Sequence, residues 1–335
     1  MKTILITGAG GFIGSFFVEK SLANGYNTYA GIRSGTSRKY LQDERTLFID
    51  LCYHDKDKLI AQLLRLRQEG VSFDVIIHNM GITKAKAKED FFRINHVYLR
   101  HFIEALKETQ MMPRQFIYMS SLAALGPGDE KTLKPINHEK LATPNTVYGK
   151  SKLMSEKFLQ SQKQVPWVII RPTGVYGPRE KDYLLLFQSI QKGVDFAAGM
   201  QTQHLSFIYV KDLVDCIFQV IDKEIKRKAY IISDGHSYTN KEVRQTIAQI
   251  LNKKWVLPIR VPFFLLKAVS YLAAFVAKKR GRLSTLNPDK YLIMKQRNWI
   301  CDIRPLRDEV QFVPQYTLQD GLRETLRWYQ EAKWL

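Results

Sequence analysis

Cysteine is nearly absent from this 335-residue chain: Cys52, Cys216 and Cys301 stand far apart and form no CxxC pair. That excludes a disulfide framework and a cysteine-built zinc site, and suits reduced thiols in a cytoplasmic protein. Long apolar runs are also missing. No stretch approaches the ~20 residues that a membrane-spanning helix needs. The first residues already read as a strand, so no secretory leader is expected. No repeat or low-complexity tract interrupts an ordinary globular composition, 45% hydrophobic and 25% charged, and the length suggests about two compact units. Negative charge is scarce: 32 Asp and Glu stand against 51 Lys and Arg, a net charge of +19. The excess favours anionic partners such as a phosphorylated cofactor, acidic lipid headgroups or nucleic acid. No zinc finger or RNP-like aromatic motif accompanies it, so nucleic acid is set aside.

What is present begins with a glycine turn, Thr7-Gly-Ala-Gly-Gly-Phe-Ile-Gly-Ser15, between the apolar run Lys2–Ile6 and a helical segment from Phe16 to Leu22. A strand, a glycine turn and a helix start form a phosphate cradle, because bare N–H groups and the positive helix end face an anion. Gly8 allows the tight turn, Gly11 lets the backbone approach a pyrophosphate, and Gly14 lets the helix pack on the strand. Gly10, Phe12 and Ile13 complete the predicted dinucleotide-binding turn.

The first 175 or so residues alternate strand and helix. Further strands are expected at 27–32, 46–50, 73–78, 115–120 and 167–171, with helices at 57–67, about 90–110 and 146–162. This pattern predicts an α/β fold, a Rossmann-type doubly wound parallel sheet with sites beyond the carboxyl ends of its strands. From Pro178 the pattern loosens into helices near 182–192, 211–222, 240–252, 262–277 and 317–333. The expected division is a dinucleotide-binding domain over 1–177 and a smaller, mostly helical substrate cap over 178–335. Strands near 204–233, at Ser206–Val210 and Ala229–Ser233, are expected to return to the sheet.

Tyr148-Gly-Lys-Ser-Lys152 opens a predicted helix. Residues four apart share a helix face, so Lys152 is expected beside the Tyr148 phenol, lowering its pKa from about 10 towards working pH. Lys150 is rotated away. Ser120-Ser121 ends the fifth strand, where a hydroxyl can hold a substrate oxygen in line with Tyr148.

With these residues in place the chain resembles the extended short-chain dehydrogenase/reductases, also called the NAD-dependent epimerase/dehydratase family. The matches run along nearly the whole chain: Gly8/Gly11/Gly14, Asp50, His78-Asn-Met-Gly81, Asn95, Ser121-Leu-Ala-Ala-Leu-Gly126, Tyr148/Lys152, Arg171-Pro-Thr-Gly-Val-Tyr-Gly-Pro-Arg179 and Phe207-Ile-Tyr-Val-Lys-Asp212. The resemblance implies Ser121, Tyr148 and Lys152 as the catalytic set. Hydride passes between nicotinamide and a carbinol carbon, Tyr148 moves the hydroxyl proton, and Lys152 holds the nicotinamide ribose. It implies Asp50, Leu51, Asn79 and Pro172 along the cofactor, with turn capping as the other reading of Asp50. Asn95 is expected to order the loops after strands four and five. Asp302 is expected to cap the short helix that follows it.

Many NAD-using members end strand two with a carboxylate on the ribose. Here Ile32-Arg33-Ser34 carries none, and Arg33 suits a 2′-phosphate unless it simply faces solvent. NADP is therefore expected, with NAD as the alternative. Nucleotide-sugar members often carry an Asn where Gly174 stands and an Arg-Asp pair where Leu205-Ser206 stands. The missing diphosphate contacts, with the Arg171–Arg179 wording, resemble the hydroxysteroid dehydrogenase and dihydroflavonol reductase branch. The expected activity is an NADPH-dependent reductase of an apolar or lipid-like ketone. A nucleotide-sugar epimerase or dehydratase and a non-catalytic NADP-sensing protein are the alternatives.

Two readings stand for the apolar segment 262–277 and the basic run Lys278–Arg282: a cap helix packed on the core, or a peripheral contact with the inner membrane face through 262–282. Lys84 and Lys86 either touch a substrate phosphate or are loop charges. A homodimer is what the family leads one to expect.

Overall fold

The computed structural model describes the chain apart from residues 281–283, residue 285 and the side chain of Lys278. The expected basic contribution of Lys278 and Arg282 therefore lies outside the described residues. Seven parallel strands form the main sheet. They are β1 (Thr3–Thr7), β2 (Asn27–Gly31), β3 (Leu47–Ile49), β4 (Val75–His78), β5 (Gln115–Met119), β6 (Trp167–Pro172) and a seventh, Lys228–Ile232. In space they run seventh, β6, β5, β4, β1, β2, β3. Strand order reverses between β1 and β4, where Thr7 pairs with His78, so the crevice for a ligand opens beyond these two ends.

Every residue of β4 and β5 is buried, as a sheet covered on both faces requires. Alternation sends Ile4 and Ile6 into one core with Phe17 of helix α1 (Phe12–Ala23) and Ile217 of the Val210–Asp222 helix. Leu5 and Ile76 point the other way, into a core with Leu59, Phe102 and Leu159. The glycine turn is thus held between two packed layers.

Three expectations change. Ser206–Val210 does not return to the main sheet. Phe207–Tyr209 pairs in parallel with Gly174–Tyr176 as a separate two-stranded piece, because the chain after β6 turns out over the crevice; only Lys228–Ile232 returns. The helix after β4 is not uniform: Lys88–Phe92 and Tyr98–Glu108 flank a π-helical turn, Arg93–Val97. A helix at Pro288–Lys295, absent from the sequence pattern, starts on Asn287, whose side chain accepts from the Lys290 N–H, with proline in its first turn. Asp302, expected to cap the helix after it, stands one residue before the N-cap of the Arg304–Val310 helix, Ile303, which has no side-chain cap; Asp302 accepts from the Arg304 N–H at 2.9 Å and pairs with the Arg304 guanidinium.

Candidate active site

The cradle is built by glycine geometry. Gly8 sits at φ +66, and a side chain there would lie 3.0 Å from the Met80 Cα. A methyl on Gly14 would collide with the Gly8 carbonyl, whereas one on Gly11 would meet only that carbonyl, at 3.3 Å. Helix α1 opens without a side-chain cap and without an acidic residue in its first turn. Its first donors, at Phe12 and Ile13, are left for an anion. These residues fit the pyrophosphate of a dinucleotide. Thr36 packs against Gly10, folding the 33–37 turn over the cradle.

Asp50 accepts from the Ser34 N–H at 2.7 Å and so caps that turn. Arg33 is exposed and has no carboxylate partner among the described residues, while the Arg38 guanidinium lies 4.0 Å above the Phe48 ring. Leu51 is buried after β3, Asn79 follows β4 half-buried, and Pro172 closes β6 buried. Thr7 ties the ends of β1 and β4 together: its hydroxyl lies 3.2 Å from His78 Nδ1 and accepts from the Met80 N–H at 3.0 Å. Burial, with the charge of Lys152, pushes His78 down to about 3, so its ring stays neutral.

Tyr148 and Lys152 lie on the Val147–Ser161 helix, whose N-terminus is capped by Thr146. Gly149 lets that helix press on the short turn Leu122–Ala124, since a methyl there would collide with the Ala123 carbonyl. The approach sets the Ser121 hydroxyl against the Tyr148 phenol. Ser120 turns the other way: it is buried and donates to Glu156, which also takes a bidentate grip from Arg171, with its closest contact at 2.8 Å. Lys150 is exposed.

The predicted pull of Lys152 on Tyr148 is corrected. The Lys152 ammonium donates to the Met119 carbonyl at 2.7 Å and lies 4.9 Å from the Tyr118 ring centre. Burial pushes Tyr148 up to about 12, with only the Ser121 hydroxyl opposing it. Burial also pushes Lys152 down to about 8, against the pull of Glu156. Sharing a helix face brings two side chains near, but a buried ammonium turns to the acceptor that satisfies it.

Asn95, in the π-helical turn, accepts from the Ile82 N–H at 2.8 Å and donates to Ser151 at 3.0 Å. It therefore ties the loop after β4 to the Tyr148 helix, rather than ordering the loop after β5, because the widened turn aims it there. Lys84 is a loop charge with a partner: Asp182 lies 2.5 Å away and also meets Lys290 at 3.5 Å. Lys86 is exposed. Sequence reasoning missed Glu156 and Asp289. The Asp289 carboxylate accepts from the Tyr148 N–H at 3.1 Å, across 141 residues of sequence. Glu156 was legible as the next turn after Lys152 on one helix face; nothing local signals Asp289. A side chain on Gly174 would lie 2.5 Å from the Tyr183 hydroxyl and 3.0 Å from the Phe207 ring.

Known proteins resemble the chain throughout its length. UDP-glucose 4-epimerase of Vibrio cholerae is 26% identical over 99% of this chain and 96% of its own. Ceramide reductase of Caulobacter vibrioides is 24% identical over 99% and 96%. The solved UDP-glucose 4-epimerase of Thermotoga maritima, with UDP-glucose, superposes with a TM-score of 0.79 at 18% identity, covering 99% of each chain, and shows the shared fold. Other relatives include nucleotide-sugar epimerases and dehydratases, beside a sterol-4-alpha-carboxylate 3-dehydrogenase of Dictyostelium discoideum, and on balance the comparisons favour the nucleotide-sugar alternative over the reductase expectation. The model of the NAD dependent epimerase/dehydratase family matches residues 4–233, and the chain belongs to that family of enzymes.

Proposed function

We propose that the chain is an NADPH-dependent reductase that converts an apolar ketone to a secondary alcohol. The glycine turn and the start of α1 would hold the pyrophosphate, with Arg33 on the 2′-phosphate. The cofactor, when bound, supplies hydride. Ser121 donates a hydrogen bond to the substrate oxygen as charge develops there. Tyr148 gives that oxygen its proton. A phenol held up to about 12 by burial keeps its proton at neutral pH, which suits the donor role that reduction requires. Lys152, turned to the Met119 carbonyl here, is the cation nearest to take a ribose hydroxyl.

One observation carries the substrate class. The space beyond Gly174, where the nucleotide-sugar members often carry an Asn, is filled by Tyr183 and Phe207. Leu205 and Ser206 stand in place of the Arg-Asp pair: Leu205 is half-buried and offers no donor to a diphosphate, and Ser206 is buried and donates to the His236 carbonyl at 3.2 Å. A diphosphate would find the Phe207 ring and the single Tyr183 hydroxyl beyond Gly174, in place of an Asn amide. The nucleotide-sugar epimerase or dehydratase reading is kept as the second, because most of the relatives favour it.

Incubating the protein with NADPH or NADH beside a panel of apolar ketones and a panel of UDP- and dTDP-sugars separates the readings. Ketone-dependent NADPH oxidation, at least tenfold more efficient than with NADH, is expected. Isomerised or dehydrated sugar with no net cofactor change would replace the reductase reading with the second one.

A further inference from the structure

The Phe263–Lys279 helix exposes a row of large apolar side chains. It touches the rest of the chain along one narrow strip. Leu266 packs with Ala198 and Tyr291, Phe263 covers Gly199, and Ser270 is buried. Opposite that strip, Phe264 (72% exposed), Leu265, Val269, Leu272 (63%), Phe275 and Val276 all face outward. At about 100° per residue they occupy an arc of roughly 140°. The short strand that leads into the helix, Leu257–Val261, adds exposed Leu257, and its pairing partner, Val194–Ala198, adds exposed Phe196; Trp255, just before, is 71% exposed. An apolar face of this breadth is not left to water without use.

The charge around it selects the occupant. From Val243 to Pro288 the sequence contains no Asp or Glu. Lys253, Lys254, Arg260, Lys267, Lys279 and Arg280 are all exposed, and the Lys279 ammonium lies 4.8 Å from the Phe275 ring centre. A second copy of this chain docked face to face would set two strongly basic rims against each other. A surface that offers hydrocarbon beneath a layer of anionic groups satisfies both features together. No helix among the described residues is long and apolar enough to cross a membrane. We propose that this helix, with the strand before it, lies in the interface of an anionic bilayer and holds the protein there as a peripheral binder. The proposal does not depend on the substrate reading, since binding is measured without turnover.

The test is co-sedimentation of the full chain with sucrose-loaded vesicles of phosphatidylcholine and phosphatidylglycerol, one to one, and of phosphatidylcholine alone. Binding to the anionic vesicles is expected, at least tenfold weaker on the neutral ones. Leu272→Glu with Phe275→Glu should weaken binding at least tenfold. So should a milder pair at the N-terminal end of the helix, Phe264→Ser with Leu265→Ser, and both pairs change only exposed positions. Three results would overturn the proposal: no binding to anionic vesicles, equal binding by folded variants, or a lipid-free dimer that the substitutions dissolve.

Discussion

Lys152 is a buried ammonium that the fold holds at a cost, and replacing it with methionine should make the protein more stable. Its pKa falls from 10.5 to about 8, with burial as the first cause. A lowering of that size corresponds to about 3 kcal/mol. The folded pKa lies below the unfolded one, so the unfolded chain binds more protons between about pH 8 and 10.5. Stability therefore rises with pH across that window. At pH 7 nearly the whole cost is present; at pH 9.5 about 1 kcal/mol remains. Lys152→Met removes it but leaves the Met119 carbonyl without its donor, a loss of about 1 kcal/mol. The expected net gain is about 2 kcal/mol at pH 7, shrinking to a few tenths at pH 9.5. Urea unfolding of both proteins at the two pH values, followed by circular dichroism, measures it. A variant no more stable at pH 7, or a gain equal at both pH values, would refute the burial argument.

Tyr148→Phe should lower turnover by about 10²–10⁴-fold while NADPH binding, followed by nucleotide fluorescence, stays within about twofold. Glu156→Leu leaves the buried Arg171 unpaired and takes the acceptor from Ser120; a loss of about 3–5 kcal/mol is expected in thermal unfolding, with much of it recovered by adding Arg171→Met.

The sheet was readable because its signals are local. Val75–His78 and Gln115–Met119 are continuous apolar runs, and the glycine turn sits between a strand and a helix start. Ser121 and Tyr148 could be paired from the family motifs, and Gly149 shows physically why they meet. The direction of the Lys152 ammonium could not be read, because it depends on a carbonyl 33 residues away that becomes its nearest acceptor only after folding. The fate of Ser206–Val210 was hidden for a related reason. A strand of three residues, Phe207–Tyr209, pairs wherever the chain around it leads, and here that is Gly174–Tyr176. Apolarity marked the 262–277 segment, but only packing could decide between a covered helix and an open one, and it left most of that helix open.

Asp289 ties the last quarter of the chain to the candidate site in its middle. The seven-stranded sheet is complete at Ile232, so everything after it can look like a removable accessory. Yet a carboxylate from that region sits on the first turn of the Tyr148 helix, where it cancels part of the positive end of the helix dipole beside the phenol. Any movement that lifts the Pro288–Lys295 helix from the crevice also removes a negative charge from that terminus. One hydrogen bond thus fastens the first turn of the Tyr148 helix to a segment 141 residues further along the chain.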